Sequence, residues 1–361
     1  MERATVGVEE EYLLLDRESG HPVPLGQRVL AEAGAQPSVD AGEVEPELLQ
    51  AQVEAETPVC RTLEEVGGHL RRLRGALAEA AARAGARLVA SAAAPTRGRV
   101  SVTDRPRYRA MLADAPQLVD EQLICGMHVH VGVPDPEAAV AALSRVRPWL
   151  PVLVAMAANS PFWDGADTGF ASWRTVVFGR WPVSGPPPDV ADAREYRRRT
   201  EDLLRTGVIR DLGQIYWQAR PSQRYPTLEV RALDVAVDPE DAVVFAGIVR
   251  GLVLTALHEE AAGAPRPAGA PPELVAAANW HAARHGLADT LIVPGTPERR
   301  PAAEVVSALV EGIAPALEAA GDAPRVRAGV ERLLASGGGA ARQRRVLREG
   351  GPEALLAFLG A

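Results

Sequence analysis

Three segments that lie far apart in the chain place acidic and imidazole side chains on strand-like patterns. They are residues 7–12 (GVEEEY), 126–132 (GMHVHVG) and 227–231 (TLEVR). In each segment polar residues alternate with Val, Met, Leu or Tyr, so a strand would have one apolar and one polar face. Carboxylates are costly to bury unless cations compensate them. A site that holds several divalent ions and a polyanion would supply such cations. The pattern therefore indicates Mg²⁺–ATP chemistry.

The glutamates of the first segment alternate in direction. On a strand, Glu9 and Glu11 face one side and Glu10 faces the other. Mg²⁺ prefers carboxylate and phosphate oxygens, which makes Glu9 and Glu11 candidate ligands; the alternative is a charged edge strand that deters aggregation. Glu47 and Glu54 are further candidates if a bulge or bend lies between them, because an undistorted strand would turn them to opposite faces. Their alternative is surface charge on an acidic protein.

The second segment carries two histidines on one strand face. A lone histidine in an apolar strand is more often a core residue than a ligand, but His128 and His130 together favour a site. Such a pair could also bind zinc with Cys125. Cys125 has the opposite strand parity to both histidines, so a closed zinc site is not indicated.

Two arginines are candidates for binding negative charge. Glu229 and Arg231 share a strand face, which suits a metal carboxylate beside a phosphate-binding guanidinium; the alternative is a cross-strand ion pair of little energetic weight. Residues 159–188 lack regular periodicity. Within them, a Gly/Asp-rich stretch leads to Arg174. This segment is either an ordinary structured loop or a lid that brings Arg174 to an anionic intermediate.

The composition excludes several mechanisms and partners. All 39 basic residues are Arg, so a Walker A lysine, a Schiff base and a Ser–Lys pair are impossible. The net charge of −8 argues against nucleic-acid or anionic-membrane partners. No uninterrupted run approaches the roughly 18 apolar residues of a membrane span. Two cysteines, Cys60 and Cys125, are too few for a disulfide framework, so a cytoplasmic location is expected.

The pattern of elements predicts an α+β fold rather than βαβ winding. Strands are predicted at 5–15, 21–25, 213–219 and 227–237, with the last two antiparallel. Helices are predicted at 62–84, 106–122, 136–158 (broken near Pro148 and Pro151) and 192–206, and throughout the chain after residue 240. We expect a single catalytic domain over 1–361, strand-rich at 1–238 and helical at 240–361.

In this order, the motifs resemble the carboxylate–amine ligase branch of the bacterial glutamate–cysteine ligase type 2 family. The matching stretches cover nearly the whole chain: residues 7–11, 47–58, 126–132, 159–162, 167–174, 220–221, 227–234 and 279–287. Each motif is weak alone, but the ordered set is specific. Two residues differ from the family's pattern: Ala166 stands where a basic residue is common, and Gln218 stands where an acidic residue is common. These differences leave the identity of the substrate open.

The resemblance implies a glutamine-synthetase-like catalytic fold, in which a curved antiparallel sheet forms a funnel backed by helices and holds ATP with Mg²⁺ or Mn²⁺. It implies metal ligands at Glu9, Glu11, Glu47, Glu54, His128 and Glu229. It implies nucleotide contacts at Arg231, Arg220 and His128. Catalytic roles would fall to Arg174, Arg231 and His130.

The activity implied by the resemblance is the ATP-dependent joining of an amino acid carboxylate, expected to be that of glutamate, to an amine, expected to be that of cysteine. The acid would be phosphorylated to an acyl phosphate before the amine attacks, and a homodimer is the implied assembly. Two alternatives remain open from the sequence. One is a metal-dependent hydrolase that uses His128 and His130, and the other is a degenerate ligase fold retained for binding.

Overall fold

The computed structural model describes residues 4–98, 101–266 and 269–361. The strands in these residues are β1 Val6–Asp16, β2 Val44–Pro46, β3 Gln52–Glu56, β4 Ala86–Val89, β5 Gly126–Gly132, β6 Phe162–Trp163, β7 Ala166–Asp167, β8 Ser184–Gly185, β9 Tyr216–Trp217, β10 Ala219–Pro221, β11 Thr227–Asp234, β12 Thr290–Ile292 and β13 Arg299–Pro301. The α-helices are α1 Gly26–Gly34, α2 Leu63–Ala84, α3 Pro106–Asp114, α4 Pro116–Asp120, α5 Pro136–Val146, α6 Leu150–Ala157, α7 Trp173–Phe178, α8 Ala193–Arg205, α9 Pro239–Ala261, α10 Pro272–His285, α11 Ala302–Ala320, α12 Ala323–Ser336 and α13 Gly338–Leu359.

A seven-stranded antiparallel sheet positions the candidate site. Its order is β10–β11–β5–β1–β3–β2, and β4 also pairs with β1. Residues 6–10 of β1 pair with β5, and residues 13–16 pair with β4. The strand that carries the three consecutive glutamates is therefore central in the sheet, with partners along its whole length. The predicted α+β class is confirmed.

The apolar face of the sheet packs against helices. Val8 on β1, Val129 on β5 and Val230 on β11 are almost completely buried and share one cluster with residues of α2, α5, α6 and α9. Full burial of a valine-sized side chain stabilises a fold by about 1.5–3 kcal/mol. This packing fixes which side of each strand faces the helices, and so leaves the polar side chains on the opposite face.

Helix α2 has well-defined ends. The hydroxyl of Thr62 accepts a hydrogen bond from the backbone N–H of Glu65, whose side chain accepts one from the backbone of Thr62, which is a capping box. Gly85 ends the helix in the left-handed conformation, with φ of 89°, which glycine adopts without steric cost. The helix predicted at 62–84 is thereby confirmed.

Two helical stretches are apolar and long enough to cross a membrane, which the search for uninterrupted apolar runs missed. They are Pro136–Ala157, which comprises α5, a short 3₁₀ turn and α6, and Pro239–Ala261, which is α9. The most apolar window of each is 83% and 78% buried, respectively. Their apolar character is explained by their position in the core, under the central sheet.

Several predicted elements differ from the structure. Residues 21–25 form only an isolated bridge between Pro22 and Leu15, and the strand predicted at 227–237 ends at Asp234. Residues 159–188 contain β6, β7, α7 and β8 instead of one irregular loop. The helical C-terminal part is interrupted by the β12–β13 pair. The short strands β6, β7, β8, β12 and β13 have two or three residues each, too few for a periodic pattern to be visible in the sequence.

Candidate functional site

The register of β1 gathers acidic and imidazole side chains on one face of the sheet. Glu9 lies opposite Glu56 on β3 and opposite His128 on β5, and Glu11 lies opposite Glu54. Residues directly opposite each other on neighbouring antiparallel strands point to the same face. The polar residues of three strands therefore form one continuous surface.

The same surface continues across β11 to β10. His130 lies opposite Glu229, which in turn lies opposite Arg220. After Val230 the register with β5 shifts, which marks a bulge or irregularity. The sheet thus brings together the candidate residues predicted on strands: Glu9, Glu11, Glu54, His128, His130, Arg220, Glu229 and Arg231.

Glu9 is held between the two histidines. Its Oε2 lies 2.7 Å from Nδ1 of His128, and its Oε1 lies 3.0 Å from Nε2 of His130. Burial raises the pKa of Glu9, but the hydrogen bond with His128 and the close contact with His130 outweigh it and hold the pKa well below its usual value. Burial and the nearby Arg231 lower the pKa of His128. Glu9 is therefore an ionised carboxylate at neutral pH, beside a neutral His128 that can act as a ligand.

Glu11, Glu47 and Glu54 form a second, purely acidic group. Strands β2 and β3 are a hairpin, and Glu47 lies in their connection, where the chain bends back toward Glu54. Burial, with the charges of Glu9 and Glu47, raises the pKa of Glu54 well above its usual value. Burial and the charge of Glu47 also raise the pKa of Glu11. Three half-buried carboxylates without a cation repel each other, so this group is a strong candidate for binding one.

Glu229 is paired with arginine on both sides. Nε of Arg220 lies 2.8 Å from its Oε2, and Arg231 donates to its Oε1. Burial raises the pKa of Glu229, but the charges of Arg231 and Arg220 outweigh it and lower the pKa to about 2. Arg220 also donates to the carbonyls of Gly213 and Ile215, so its guanidinium is engaged by protein groups.

Arg174 lies in the first turn of α7 and is only 4% exposed. Its Nη2 donates to the backbone carbonyl of Arg231 at 3.3 Å, and its guanidinium lies over the ring of Phe178 at 5.4 Å. Segment 159–188 is therefore a structured connection that inserts one arginine beside the polar face of the sheet. Of the two interpretations left open by the sequence, the structured loop describes this conformation.

The side chains present fit divalent metal ions. Three overlapping groups within the described residues each offer ligand atoms within 4.8 Å of one another: Glu9, His130 and Glu229; Glu9, Glu54 and His128; Glu11, Glu47 and Glu54. Nε2 of His128 is buried and finds no hydrogen-bond partner among the described residues. Clustered carboxylates with one or two imidazoles suit Mg²⁺ or Mn²⁺, which are hard cations that favour oxygen ligands.

Two cavities adjoin the carboxylate–histidine row. A central cavity of about 200 Å³ is lined by Glu11, Glu47, His128, Arg174, Arg231 and Gln52, together with aromatic side chains. An outer cavity of about 540 Å³ is lined by Glu9, His130, Glu56, Val59 and Tyr225, among others. A separate cavity of about 500 Å³ beside Trp163 has none of the predicted site residues in its wall.

The sequence model of the family Glutamate-cysteine ligase family 2 (GCS2) matches residues 5–355 of the chain. The chain belongs to this family. A protein of Saccharopolyspora erythraea, provisionally named glutamate–cysteine ligase 2-1, is 45% identical over 346 residues, which cover 95% of this chain and 90% of that protein. A Salinispora arenicola protein with the provisional name glutamate–cysteine ligase 2 is 44% identical with the same coverage.

Solved structures show that the fold of this family 2 chain is shared more widely. Glutamate–cysteine ligase of Francisella tularensis, solved in complex with AMP, is similar with a TM-score of 0.73 at 12% identity, covering 99% of this chain and 88% of that one. A bifunctional glutathione synthetase of Pasteurella multocida has a TM-score of 0.68 at 15% identity, covering 99% of this chain and 51% of that one. At these identities the similarity concerns the fold, and the predicted ligase fold is confirmed.

The family 2 motif at 279–287 contacts the segment that precedes Arg174 and does not belong to the carboxylate–histidine row. The carbonyl of Ala283 on α10 accepts hydrogen bonds from the backbone N–H groups of Ala171 and Ser172 at 2.8 and 2.9 Å. Gly286, with φ of 57°, would place a Cβ 2.9 Å from the Cβ of Ala171. This motif therefore anchors the connection that carries Arg174.

Two residues of the site were missed by sequence reasoning. Gln52 points to the polar face because it has the same strand parity as Glu54, and this parity was a usable signal. Asp234 lies in the strand predicted at 227–237 and is not among the predicted site residues, but its carboxylate is buried beside Arg174. No local pattern in the sequence reveals this contact, because the two residues are brought together by tertiary structure.

Proposed function

We propose that this chain is an ATP-dependent ligase that joins an amino acid carboxylate to an amine, with glutamate and cysteine as the substrates. One observation carries the proposal: three overlapping groups of candidate metal ligands, two with a histidine and one purely acidic, lie along one sheet face, with Arg231 and Arg174 beside them and two adjoining cavities. Membership of the family supports the same reaction class, because relatives with 44–45% identity carry glutamate–cysteine ligase names.

The proposed reaction has two steps. The γ-phosphoryl group of ATP is transferred to the acid, which gives an acyl phosphate and ADP, and the amine then attacks the acyl carbon and expels phosphate. Both steps build negative charge on oxygen atoms, which positive groups stabilise without a protein nucleophile. Mg²⁺ or Mn²⁺ would be held by Glu9, Glu11, Glu47, Glu54, His128 and Glu229, and when bound would neutralise phosphate charge.

Arg231 and Arg174 are the proposed phosphoryl-side cations. Each has a buried Nε–H that finds no acceptor within the part of the chain that the structure describes, and both line the central cavity. Glu229 occupies another nitrogen of Arg231 and holds the guanidinium in place. Such donors, already oriented before substrate arrives, stabilise developing charge at little reorganisation cost.

The outer cavity is the proposed nucleoside site. Val59 and Tyr225 in its wall are 75% and 47% exposed, which leaves apolar surface available to a base. Glu9 and His130 line the same cavity, whereas Glu11 and His128 line the central one. ATP bound in this direction would present its γ-phosphate across the carboxylate–histidine row to an acid in the central cavity.

The central cavity fits an amino acid. Nε2 of Gln52 donates to the carbonyl of Ile124 at 2.6 Å, which orients Oε1 as a buried acceptor without a partner among the residues described. Leaving such an acceptor unpaired costs about 1–3 kcal/mol. A substrate ammonium would pair with Oε1, while its carboxylate could meet Arg174 or Arg231. The cavity thus offers donors and acceptors complementary to a zwitterion.

The two alternatives are less well supported. A hydrolase that binds a single metal ion through both His128 and His130 is not matched by the arrangement of the ligand groups. The two side chains belong to different groups of candidate ligands, joined only through Glu9. A degenerate binding protein would be expected to lose ligand carboxylates, whereas five glutamates are retained. Neither alternative is favoured by the family.

The proposal includes the whole of residues 1–361 acting as one catalytic unit, in a reducing cytoplasm and as a homodimer. Cys60 and Cys125 are both free and buried, which is compatible with a reducing compartment. Light scattering at micromolar concentration tests the dimer.

The deciding experiment is a turnover assay with matched omissions. Purified protein is incubated with ATP, Mg²⁺, glutamate and cysteine, and ADP release and the dipeptide are measured. We expect ADP release that requires both the acid and the amine, and that is lost in Glu54→Gln but retained in Glu201→Gln, whose side chain is 64% exposed. ADP release without dependence on either amino acid would overturn the ligase assignment. If other amines replace cysteine, the ligase class stands and only the named amine is wrong.

The acyl phosphate is tested separately. Hydroxylamine replaces the amine as a small nucleophile, attacks the activated acyl carbon and releases phosphate, so a glutamyl hydroxamate should accumulate together with ADP. Its formation must require ATP and glutamate but not cysteine. A protein that forms dipeptide without forming hydroxamate would argue against a free acyl phosphate.

A further inference from the structure

A buried carboxylate at the end of β11 organises the connection that carries Arg174. Asp234 is 1% exposed. Its Oδ2 accepts hydrogen bonds from the backbone N–H of Asn159 at 2.8 Å and from Oγ of Ser160 at 2.7 Å. Its Oδ1 accepts one from Oγ of Ser172 at 2.9 Å. Three donors from segment 159–172 thus converge on one acceptor.

This network continues directly to Arg174. Oγ of Ser160 donates its proton to Asp234 and accepts a hydrogen bond from the backbone N–H of Arg174 at 3.0 Å. Nη1 of Arg174 lies 3.9 Å from Oδ1 of Asp234. Asp234 therefore acts on both ends of the arginine: on its backbone through a serine, and on its guanidinium through charge.

The guanidinium has little alternative space. A Cβ added at Gly126 would lie 2.2 Å from Nη2 of Arg174 and 2.7 Å from its Cζ, so the arginine occupies the volume that only a glycine leaves free. With Nη2 on the carbonyl of Arg231 and Nη1 toward Asp234, the remaining Nε–H is directed away from protein acceptors in the described chain. One donor of Arg174 is thus left without a partner among the described residues.

We infer that Asp234 is a positioning residue: by fixing Ser160, Ser172 and the guanidinium of Arg174, it holds this arginine at the wall of the central cavity. For catalysis, the inference rests on the proposed ligase function. Without Asp234, the two serines lose their acceptor and Arg174 loses its only carboxylate contact among the residues that the structure describes.

The test is a double-mutant cycle between Asp234→Asn and Arg174→Ala. Hydrogen bonds to a charged group contribute about 1.5–3 kcal/mol, so Asp234→Asn should lower kcat by about 10- to 100-fold while the Kd for Mg²⁺–ATP changes by less than about threefold. In the Arg174→Ala background the same substitution should have almost no further effect, because the group that it positions is absent. An equal loss in both backgrounds would overturn the inference.

A second buried carboxylate provides the matched control. Asp322 pairs with Arg250 at 2.5 Å in the helical layer, away from the site. Asp322→Asn should lower the melting temperature, but its effect on kcat should be small and the same with or without Arg174→Ala. If Asp234→Asn fails to fold, Ser172→Ala removes one of the three hydrogen bonds, and its smaller kcat loss must likewise vanish in the Arg174→Ala background.

Hydrogen exchange separates this inference from the ligase proposal. Amides of residues 160–178 should exchange faster in Asp234→Asn than in the parent or in Asp322→Asn, because the network that holds the segment is broken. This measurement needs no turnover, so it remains decisive if the protein ligates other substrates or none. Unchanged exchange in Asp234→Asn would show that Asp234 does not position the segment.

Discussion

Glu10, between the candidate metal ligands Glu9 and Glu11, points to the opposite face and forms a buried ion pair. Arg74 of α2 donates to its two carboxylate oxygens at 2.6 and 3.0 Å, and the hydroxyl of Tyr12 donates at 2.5 Å. Both charged residues are at most 4% exposed. We predict that Arg74→Met destabilises the protein strongly, because it leaves the Glu10 carboxylate without a cation in the helical layer.

The size of this effect follows from burial. Removing one partner of a buried ion pair costs about 3–5 kcal/mol. Arg74 also donates to the backbone carbonyls of residues 236 and 237, so the upper half of that range is expected. Unfolding entropy is about 2.1 cal/mol/K per residue, or about 0.8 kcal/mol/K for 361 residues. A loss of about 4 kcal/mol therefore lowers Tm by about 5 °C.

The assay is calorimetric or fluorescence-detected melting of metal-free protein, with the double variant Glu10→Gln/Arg74→Met as the comparison. Replacing both charges removes the uncompensated carboxylate, so the double variant should recover much of the lost Tm. Glu11→Gln is the control on the opposite face, and should leave the apo protein equally or more stable. Equal melting of Arg74→Met and the double variant would refute the reasoning.

The remaining predictions concern the site. Because the pKa of Glu54 is raised, the stability that this residue contributes is present below about pH 4 and is lost as the pH rises through its folded-state pKa. Metal-free Glu54→Gln should therefore have a higher melting temperature than the parent at pH 8, and this difference should close toward pH 4. Added Mg²⁺ should reverse the order of the two melting temperatures. Gln52→Met should raise KM for the amino acid by about tenfold and leave ATP affinity unchanged; an unchanged KM would remove Gln52 from the substrate site. Tyr225→Ala should weaken ATP binding measured by calorimetry, whereas Trp280→Ala, at an exposed aromatic residue that does not line the outer cavity, should not.

The candidate site was largely predictable because strand parity is a rule of geometry. Glu9, Glu11, His128 and His130 alternate with apolar residues, and the sheet needs only an antiparallel register to bring them to one face. The position of Glu47 was less accessible. The sequence predicted a bulge or bend, but it did not reveal that the chain forms a full hairpin between β2 and β3.

Contacts set by tertiary structure could not be predicted. The convergence of Asp234 with Ser160 and Ser172 joins residues more than sixty positions apart, and nothing in either local pattern requires it. Arg220 was predicted to contact the nucleotide, yet the structure places it on Glu229 and two carbonyls. Its nucleotide role stays a prediction, because a guanidinium pairs equally well with a carboxylate or a phosphate.

The central position of β1 has a consequence for synthesis on the ribosome. Glu9 emerges early, but β5, which pairs with residues 6–10 of β1, is complete only at Gly132. At about 5–20 residues per second, this part of β1 waits on the order of ten seconds for its partner strand. A waiting apolar strand is prone to aggregation, and closely spaced charges oppose it. The glutamates proposed to hold metal ions in the finished enzyme would thus first keep the nascent strand from aggregating with other chains.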